Sequence, residues 1–257
     1  MGTIAITGSA SGIGAATRVR LVRAGHQVIG VDVRDAEIIA DLATAAGREA
    51  AIAAVRKAAG NRLDGLVACA GVGPQTESLP LIVSLNYFGA QAVLAGLREA
   101  LAAGTQPAAV AVSSNSATVP GSESDTPLVA ACLAGDEDEA RRVATSLFGH
   151  QVYAGSKLAL ARWVRRNAPS AEWAGAGIRL NAVAPGAVMT PLLQGGLDHP
   201  VWGPAIRGFP IPTGGFGTPD QIAAAITFLL SPDAGFCCGS VVFVDGGTDA
   251  MLRPDQY

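Results

Sequence analysis

Tyr153 and Lys157 stand four residues apart in the pentapeptide YAGSK. Four residues make about one helical turn, so a helix there puts both side chains on one face. An ammonium beside a phenol stabilises the phenolate, which predicts a lowered pKa for Tyr153. A tyrosine tuned in that way gives or takes a proton near neutral pH. The pentapeptide alone fits an ordinary exposed helix pair equally well, so other stretches must decide.

The first of these is TGSASGIG, Thr7 to Gly14, which follows an apolar run and opens a helical one. Gly8 permits a sharp turn. Gly12 and Gly14 remove side chains where a pyrophosphate and a neighbouring strand would come close. The helix start supplies free N–H groups and a positive dipole end to phosphate charge. Asp32 follows in VIGVD, at the end of the second apolar run. An acid there accepts hydrogen bonds from adenosine ribose hydroxyls and repels the extra phosphate of NADP. Val33 comes next, the glycine turn contains no Lys or Arg, and Arg34 would have to pass Asp32 to reach a phosphate. These residues predict NAD as the cofactor in preference to NADP.

Positioning these groups requires a sheet. Short apolar runs at 3–7, 27–32, 64–70, 108–114, 178–184 and 240–245 are predicted strands, and segments at 12–24, 44–59, 79–103, 152–167 and 219–230 are predicted helices. Uninterrupted apolar strands alternating with helices predict an α/β fold, a doubly wound parallel sheet covered on both faces. No linker or internal repeat divides the 257 residues, which are read as one domain over 1–257. Pro169 would fall inside a helix continued toward Trp173, and a break is expected there.

Two segments interrupt the alternation. Residues 116–151 are expected to hold an inserted helical pair: Pro127–Ala134 closing at Gly135, then a helix capped by Asp136 with Glu139 three residues on. Residues 187–218 are rich in Pro and Gly but carry Met189, Leu192, Leu193, Leu197, Trp202, Ile206 and Phe209. They are expected to form a long lid loop without regular structure.

Composition excludes several classes. Net charge is −3, without the Lys and Arg excess that nucleic-acid binding uses; the one basic cluster, Arg162, Arg165 and Arg166, is read as a solvated or interface helix face. Cys69, Cys132, Cys237 and Cys238 match no zinc spacing, and all four are expected to be reduced thiols in a cytoplasmic protein; no metal is expected. No signal peptide and no apolar run long enough for a bilayer is read, and Ile6 stands where a myristoylation motif wants Ser or Thr. No membrane partner is expected. Ser156 lacks the surroundings of a hydrolase nucleophile. His150, three residues before Tyr153, is a minor candidate for proton shuttling.

Taken together, the chain resembles the short-chain dehydrogenase/reductases over essentially its whole length. The matching features are the Gly8/Gly12/Gly14 turn, Cys69-Ala70-Gly71, Asn86 in SLNYFG, Ser113-Ser114, Tyr153/Lys157 and Pro185-Gly186 in NAVAPG. The resemblance implies a Rossmann-type sheet of about seven strands. It implies Tyr153 as general acid/base, Lys157 as its tuner and ribose ligand, Ser114 as a hydrogen-bonding partner of the substrate oxygen, and Asn86 as the holder of a relay water. Cofactor contacts are implied at Gly8, Ser11, Gly12, Ile13, Gly14, Asp32, Asp41, Leu42, Ala70, Gly71, Tyr153, Lys157, Pro185, Gly186, Val188 and Thr190. Substrate contacts are implied at Ser114, Ser116, Tyr153, Met189, Leu192 and Trp202.

The chain departs from that pattern in three places. Ala68-Cys69 replaces two asparagines, leaving cofactor contacts there to the backbone. The segment after Asp32 has no room for the usual helix. The spacing from Ser114 to Tyr153 is far longer than usual. The last two are similar to the bacterial 3α-hydroxysteroid dehydrogenase/carbonyl reductase group, in which Asp41 and Leu42 would meet the adenine, and the resemblance implies a homodimer. The expected substrate is a bulky, largely neutral secondary alcohol or its ketone. A steroid 3-hydroxyl, an aryl ketone, a terpenoid or an aryl amino alcohol fits it. A dehalogenase-like lyase would have a damaged glycine turn and Arg for Lys157, and an epimerase would need a larger substrate domain. A catalytically silent NAD-sensing protein is the other class, opposed by the full set of Asn86, Ser114, Tyr153 and Lys157.

Overall fold

The apolar runs pair as parallel strands in the computed structural model, which describes residues 1–120 and 126–256. In chain order the elements are β1 (Thr3–Thr7), α1 (Gly12–Arg23), β2 (Gln27–Asp32), β3 (Ile38–Ile39), α2 (Ala45–Ala58), β4 (Gly65–Ala68), α3 (Leu79–Val83), α4 (Ala90–Gly96), α5 (Arg98–Ala102), β5 (Ala108–Val112), α6 (Pro127–Ala134), α7 (Glu137–Ala144), α8 (Gly149–Asn167), β6 (Arg179–Pro185), α9 (Pro191–Leu197), α10 (Trp202–Arg207), α11 (Pro219–Leu230), β7 (Val241–Val244) and α12 (Thr248–Leu252). The sheet order is β3-β2-β1-β4-β5-β6-β7. Every pairing is parallel. The order reverses between β1 and β4, and a crevice opens there beyond the carboxyl ends of the strands.

Both faces of the sheet are covered, which is why β4 and β5 are buried at every residue. One apolar layer joins Leu66, Leu94, Leu160 and Leu180 beneath the α4 and α8 side. The other joins Ile6, Leu21, Val110, Ile222 and Ile226 beneath α1 and α11.

The structure departs from the sequence expectations in four places. β3 was not among the predicted strands; two residues are too few to show a period. Glu37 extends its work, accepting the Gly30 N–H at 2.9 Å where a longer strand would have supplied a carbonyl. The Arg18 guanidinium paired with Glu37 holds its carboxyl down at about 2. As expected, no helix follows Asp32.

The helix predicted over 79–103 is interrupted. A π-turn at Ser84–Gly89 separates α3 from α4, and Leu97 (φ −98°, ψ 1°) ends α4 before α5. Contrary to the expectation that no run could span a bilayer, Leu79–Gly96 is long and apolar enough by length and composition. That apolarity is consumed in the core: Ile82, Val83 and Leu94 are wholly buried.

The lid segment is not irregular. It holds α9 and α10, and Thr190 caps α9 by accepting the Leu193 N–H at 3.2 Å. Pro191 at the first helical position favours that start. The fourth departure is the start of α8, at Gly149 rather than near Val152, with Gln151 Oε1 accepting the Phe148 N–H at 2.9 Å. α8 ends at Asn167, two residues before Pro169, where a break was expected.

The inserted pair is α6 and α7. Gly135 closes α6 in the left-handed region, and Asp136 accepts the Glu139 N–H at 3.0 Å. Glu139 does not complete the box; it pairs with Arg142 at 2.6 Å. The pair is tied down by Arg48–Glu137 at 2.6 Å and by Arg141 donating to Ser84 Oγ at 2.8 Å. All four cysteines are free thiols, and among the described residues no cluster of metal ligands occurs.

Candidate active site

A cleft of about 710 Å³ opens at the carboxyl ends of β1, β2, β4, β5 and β6. Its nucleotide half is built on the glycine turn. Thr7 Oγ1 accepts the N–H groups of Cys69 (3.1 Å) and Ala70 (3.2 Å), locking the ends of β1 and β4 together. Gly8 has φ +69°, and a Cβ on it would lie 2.8 Å from the Ala70 backbone. A Cβ on Gly14 would collide with the Gly8 carbonyl, so Gly14 serves the packing of α1 on the turn and does not line the cleft.

Ser11 caps α1 without a side-chain hydrogen bond, so first-turn N–H groups face the cleft unshielded. Asp32 stands at the cleft wall. Its oxygens accept the Ala10 N–H at 3.0 Å and the Val33 N–H at 2.7 Å, which leaves lone pairs for ribose hydroxyls. Among the described residues lining the cleft, Lys157 alone carries a Lys or Arg cation. This donor set fits a dinucleotide pyrophosphate and an unphosphorylated ribose. It offers no partner to a 2′-phosphate.

The chemical corner lies where α8 crosses the end of β5. Lys157 is 5% exposed and donates to the Val112 carbonyl at 2.9 Å. Its nitrogen lies 5.9 Å from the Tyr153 ring centroid. Ser113 Oγ donates to the Lys157 backbone carbonyl at 2.8 Å, tying α8 to β5. Burial lowers the Lys157 ammonium to about 8. Cys69 is pushed up to about 11 by burial and is no thiolate at neutral pH.

The expected lowering of the Tyr153 pKa is not found. Burial raises it, and only a hydrogen bond from Ser114 works in the other direction. The Lys157 ammonium, held on the Val112 carbonyl, does not offset that desolvation. Asn86 is wholly buried on the π-turn and does not line the cleft. Its amide clamps Val72 twice, accepting the N–H at 2.9 Å and donating to the carbonyl at 3.0 Å. A π-turn of this kind commonly marks a functional position, and here it aims Asn86 at the Gly71–Val72 backbone.

The substrate half is apolar. Val72, Pro74, Val119, Leu192, Leu193, Trp202, Ile206 and Phe209 line it, with Gln75 and His150 as polar groups. Gln75 reaches across to the lid and donates to the Leu192 carbonyl at 3.0 Å. His150 lies stacked with Phe148 (6.0 Å, 9°) and edge-on to Trp202 (5.8 Å, 63°), an aromatic seam between α8 and α10.

The pattern described as short chain dehydrogenase matches residues 2–125, and that described as Enoyl-(Acyl carrier protein) reductase matches residues 140–249. A 3-alpha-hydroxysteroid dehydrogenase/carbonyl reductase of Comamonas testosteroni is 48% identical over 260 residues, covering 100% of both chains. The chain belongs to the short-chain dehydrogenase family.

A levodione reductase of Leifsonia aquatica is 32% identical over 96% of this chain and 94% of its own. The crystal structure of a 3-alpha-hydroxysteroid dehydrogenase from Pseudomonas sp. B-0831 complexed with NADH superposes with a TM-score of 0.96. It is 53% identical and covers 99% of this chain and 100% of its own.

In this short-chain dehydrogenase the cleft gathers most residues singled out from sequence. Gly8, Ser11, Gly12, Ile13, Asp32, Leu42, Ala70, Gly71, Ser114, Ser116, Tyr153, Lys157, Pro185, Gly186, Val188, Thr190, Leu192 and Trp202 all line it. Three expected contacts, Gly14, Met189 and Asp41, do not, nor does Asn86. Met189 is 42% exposed and turned away from the cleft, its N–H held by the Gly217 carbonyl at 2.8 Å. Asp41 uses its Oδ1 to accept the Ala43 N–H at 2.9 Å, a local turn, while Ala40 and Leu42 face the cleft. Gln75, Val119 and Pro120 were missed. They sit in loops whose approach to the cleft only the sheet topology creates.

Proposed function

We propose that this dehydrogenase is an NAD-dependent oxidoreductase that interconverts a bulky apolar secondary alcohol and its ketone. The observation that carries the reading is the placement of Tyr153 and Ser114 at the junction of the two halves of the cleft, with an apolar wall on one side and the glycine turn on the other. NAD, held by the α1 N-terminus, Asp32 and Lys157, would supply the hydride acceptor for oxidation. Tyr153 takes the hydroxyl proton at its phenol oxygen. Ser114 donates a hydrogen bond to the substrate oxygen and stabilises charge there. Lys157, with two N–H donors beyond the one on Val112, would grip the nicotinamide ribose, and its ammonium favours the phenolate. Asn86, through Val72, fixes the loop that carries Gly71 beside Lys157.

A 3α-hydroxysteroid is the leading substrate class: the apolar wall suits a rigid polycyclic body, and the relatives named above support it. A cytoplasmic homodimer fits the surface. β7 is an edge strand with Val241–Val244 half-exposed, and Phe228 and Phe236 stand exposed near it, a face that a second copy can cover.

The test is NADH formation over a panel of 3α- and 3β-hydroxysteroids, aryl carbinols and cyclic terpenols, repeated with the Tyr153→Phe variant. Turnover of the 3α-hydroxysteroids, lost by at least about a thousandfold in Tyr153→Phe with NADH binding unchanged, is the expected result. Turnover surviving in Tyr153→Phe overturns the acid/base assignment.

A further inference from the structure

Ser114 follows β5 with extended backbone (φ −165°, ψ 151°) and caps a single 3₁₀ turn at Asn115–Ala117. Its hydroxyl oxygen receives two hydrogen bonds from one residue: the Ser116 N–H at 3.2 Å and the Ser116 hydroxyl at 3.0 Å. A serine hydroxyl has one hydrogen and two lone pairs. With both lone pairs taken, its remaining capacity is its own hydrogen. Beside it stands Tyr153, whose pKa the Ser114 hydroxyl lowers against the rise that burial causes.

We propose that Ser116 is a positioning residue for the reaction. By occupying the Ser114 lone pairs, it fixes Ser114 as a hydrogen donor toward the Tyr153 phenol oxygen and the substrate oxygen. The inference rests on the acid/base reading above and goes beyond it, because Ser116 acts through Ser114 rather than on substrate. A donor stabilises the phenolate and any developing negative charge on the substrate oxygen. A Ser114 free to accept would take the phenol hydrogen instead and stabilise the neutral phenol, an effect of opposite sign.

The turn that carries Ser116 is held from outside the cleft. Asn115 Nδ2 donates to Asp245 Oδ2 at 3.3 Å, and Thr118 Oγ1 donates to Asp249 Oδ1 at 2.6 Å. Asp249 is in turn paired with Arg253 at 2.9 Å. The C-terminal segment after β7 therefore braces the turn, and Ser116 keeps its place without help from a ligand. The other titratable groups that line the cleft are Lys157, Tyr153 and His150 of α8, Cys69 after β4 and Asp32 of β2.

The experiment compares Ser116→Ala, Ser116→Thr, Ser114→Ala and the double Ala variant by kcat, KM and the pH profile of kcat, with NADH affinity measured by fluorescence. Ser116→Ala should lower kcat at pH 7 about tenfold and move the acid/base limb up by about one pH unit, the size of one charged hydrogen bond. KM and NADH affinity should stay unchanged, and Ser116→Thr, which keeps the hydroxyl, should restore both values. In a Ser114→Ala background the Ser116→Ala effect should vanish. Additive losses in the double variant, or a raised KM with an unmoved pH profile, would overturn the proposal in favour of direct substrate contact. Tyr153→Phe tests the acid/base reading separately, so the two failures are told apart.

Discussion

The Lys157 ammonium donates to the Val112 carbonyl at 2.9 Å and stands 5.9 Å from the centre of the Tyr153 ring. Val112 ends β5, one pair of residues short of Ser114. Lysine and serine, separate in sequence, are thus fixed to one strand end. The lysine is held at that strand end by the Val112 carbonyl.

Holding a buried ammonium costs stability. Burial lowers Lys157 from 10.5 to about 8, which corresponds to roughly 3 kcal/mol. Below pH 8 the lysine is charged in both folded and unfolded states, so the full cost is present. As pH rises from 8 toward 10.5 the folded-state lysine loses its proton first, and the cost disappears. Lys157→Met should therefore be more stable than the parent at pH 7 by about 2 kcal/mol, after the lost Val112 bond is deducted. That advantage should shrink through pH 8–10. Urea denaturation at several pH values measures it; a variant less stable at pH 7 contradicts the cost. Turnover should be abolished, a trade of activity for stability.

Asp32 makes cofactor choice a matter of one carboxylate. The wild-type protein should bind NADH at least about a hundredfold more tightly than NADPH, since a 2′-phosphate would meet Asp32 and find no cation. Asp32→Ser removes the charge and keeps one acceptor for the Ala10 and Val33 N–H groups. NADPH affinity should rise about tenfold or more and NADH affinity fall about tenfold. Fluorescence titration of both cofactors decides, and equal wild-type affinities would refute the assignment.

Asn86 is a structural clamp as well as a site residue. Asn86→Ala removes the partners of the part-buried Val72 N–H and carbonyl, at a cost of about 1–3 kcal/mol. The unfolding midpoint should drop accordingly and kcat should fall more than about tenfold, because the Gly71–Val72 backbone beside Lys157 loosens. Asn86→Asp, which keeps the acceptor for the Val72 N–H and loses the donor, should be intermediate. A variant with unchanged stability would show that the clamp contributes nothing.

Much of this molecule was legible before folding, because local rules govern it. Apolar runs became the central strands since burial on both sides leaves no alternation to read. TGSASGIG opened α1 because its glycines alone tolerate the turn and the close approach of Gly14 to the Gly8 carbonyl. Asp136 and Gly135 marked helix ends by their side-chain and backbone preferences. Tyr153 and Lys157 share a face by helical spacing alone.

What the chain could not declare locally, the tertiary structure decided. Solvation is set by the whole fold, so the Tyr153 shift went opposite to the expectation drawn from its neighbour in sequence. The partner of Lys157 is a carbonyl 45 residues away. A two-residue strand and a π-turn inside an apolar helix carry no period of their own; they exist because Glu37 and Asn86 find backbone partners across the sheet or loop. Met189 and Asp41 were turned from the cleft by the loops that hold them. Residue types and spacing determined which chemistry this protein can carry, and only the packing of the sheet ends determined which oxygen, nitrogen and carbonyl stand close enough to perform it.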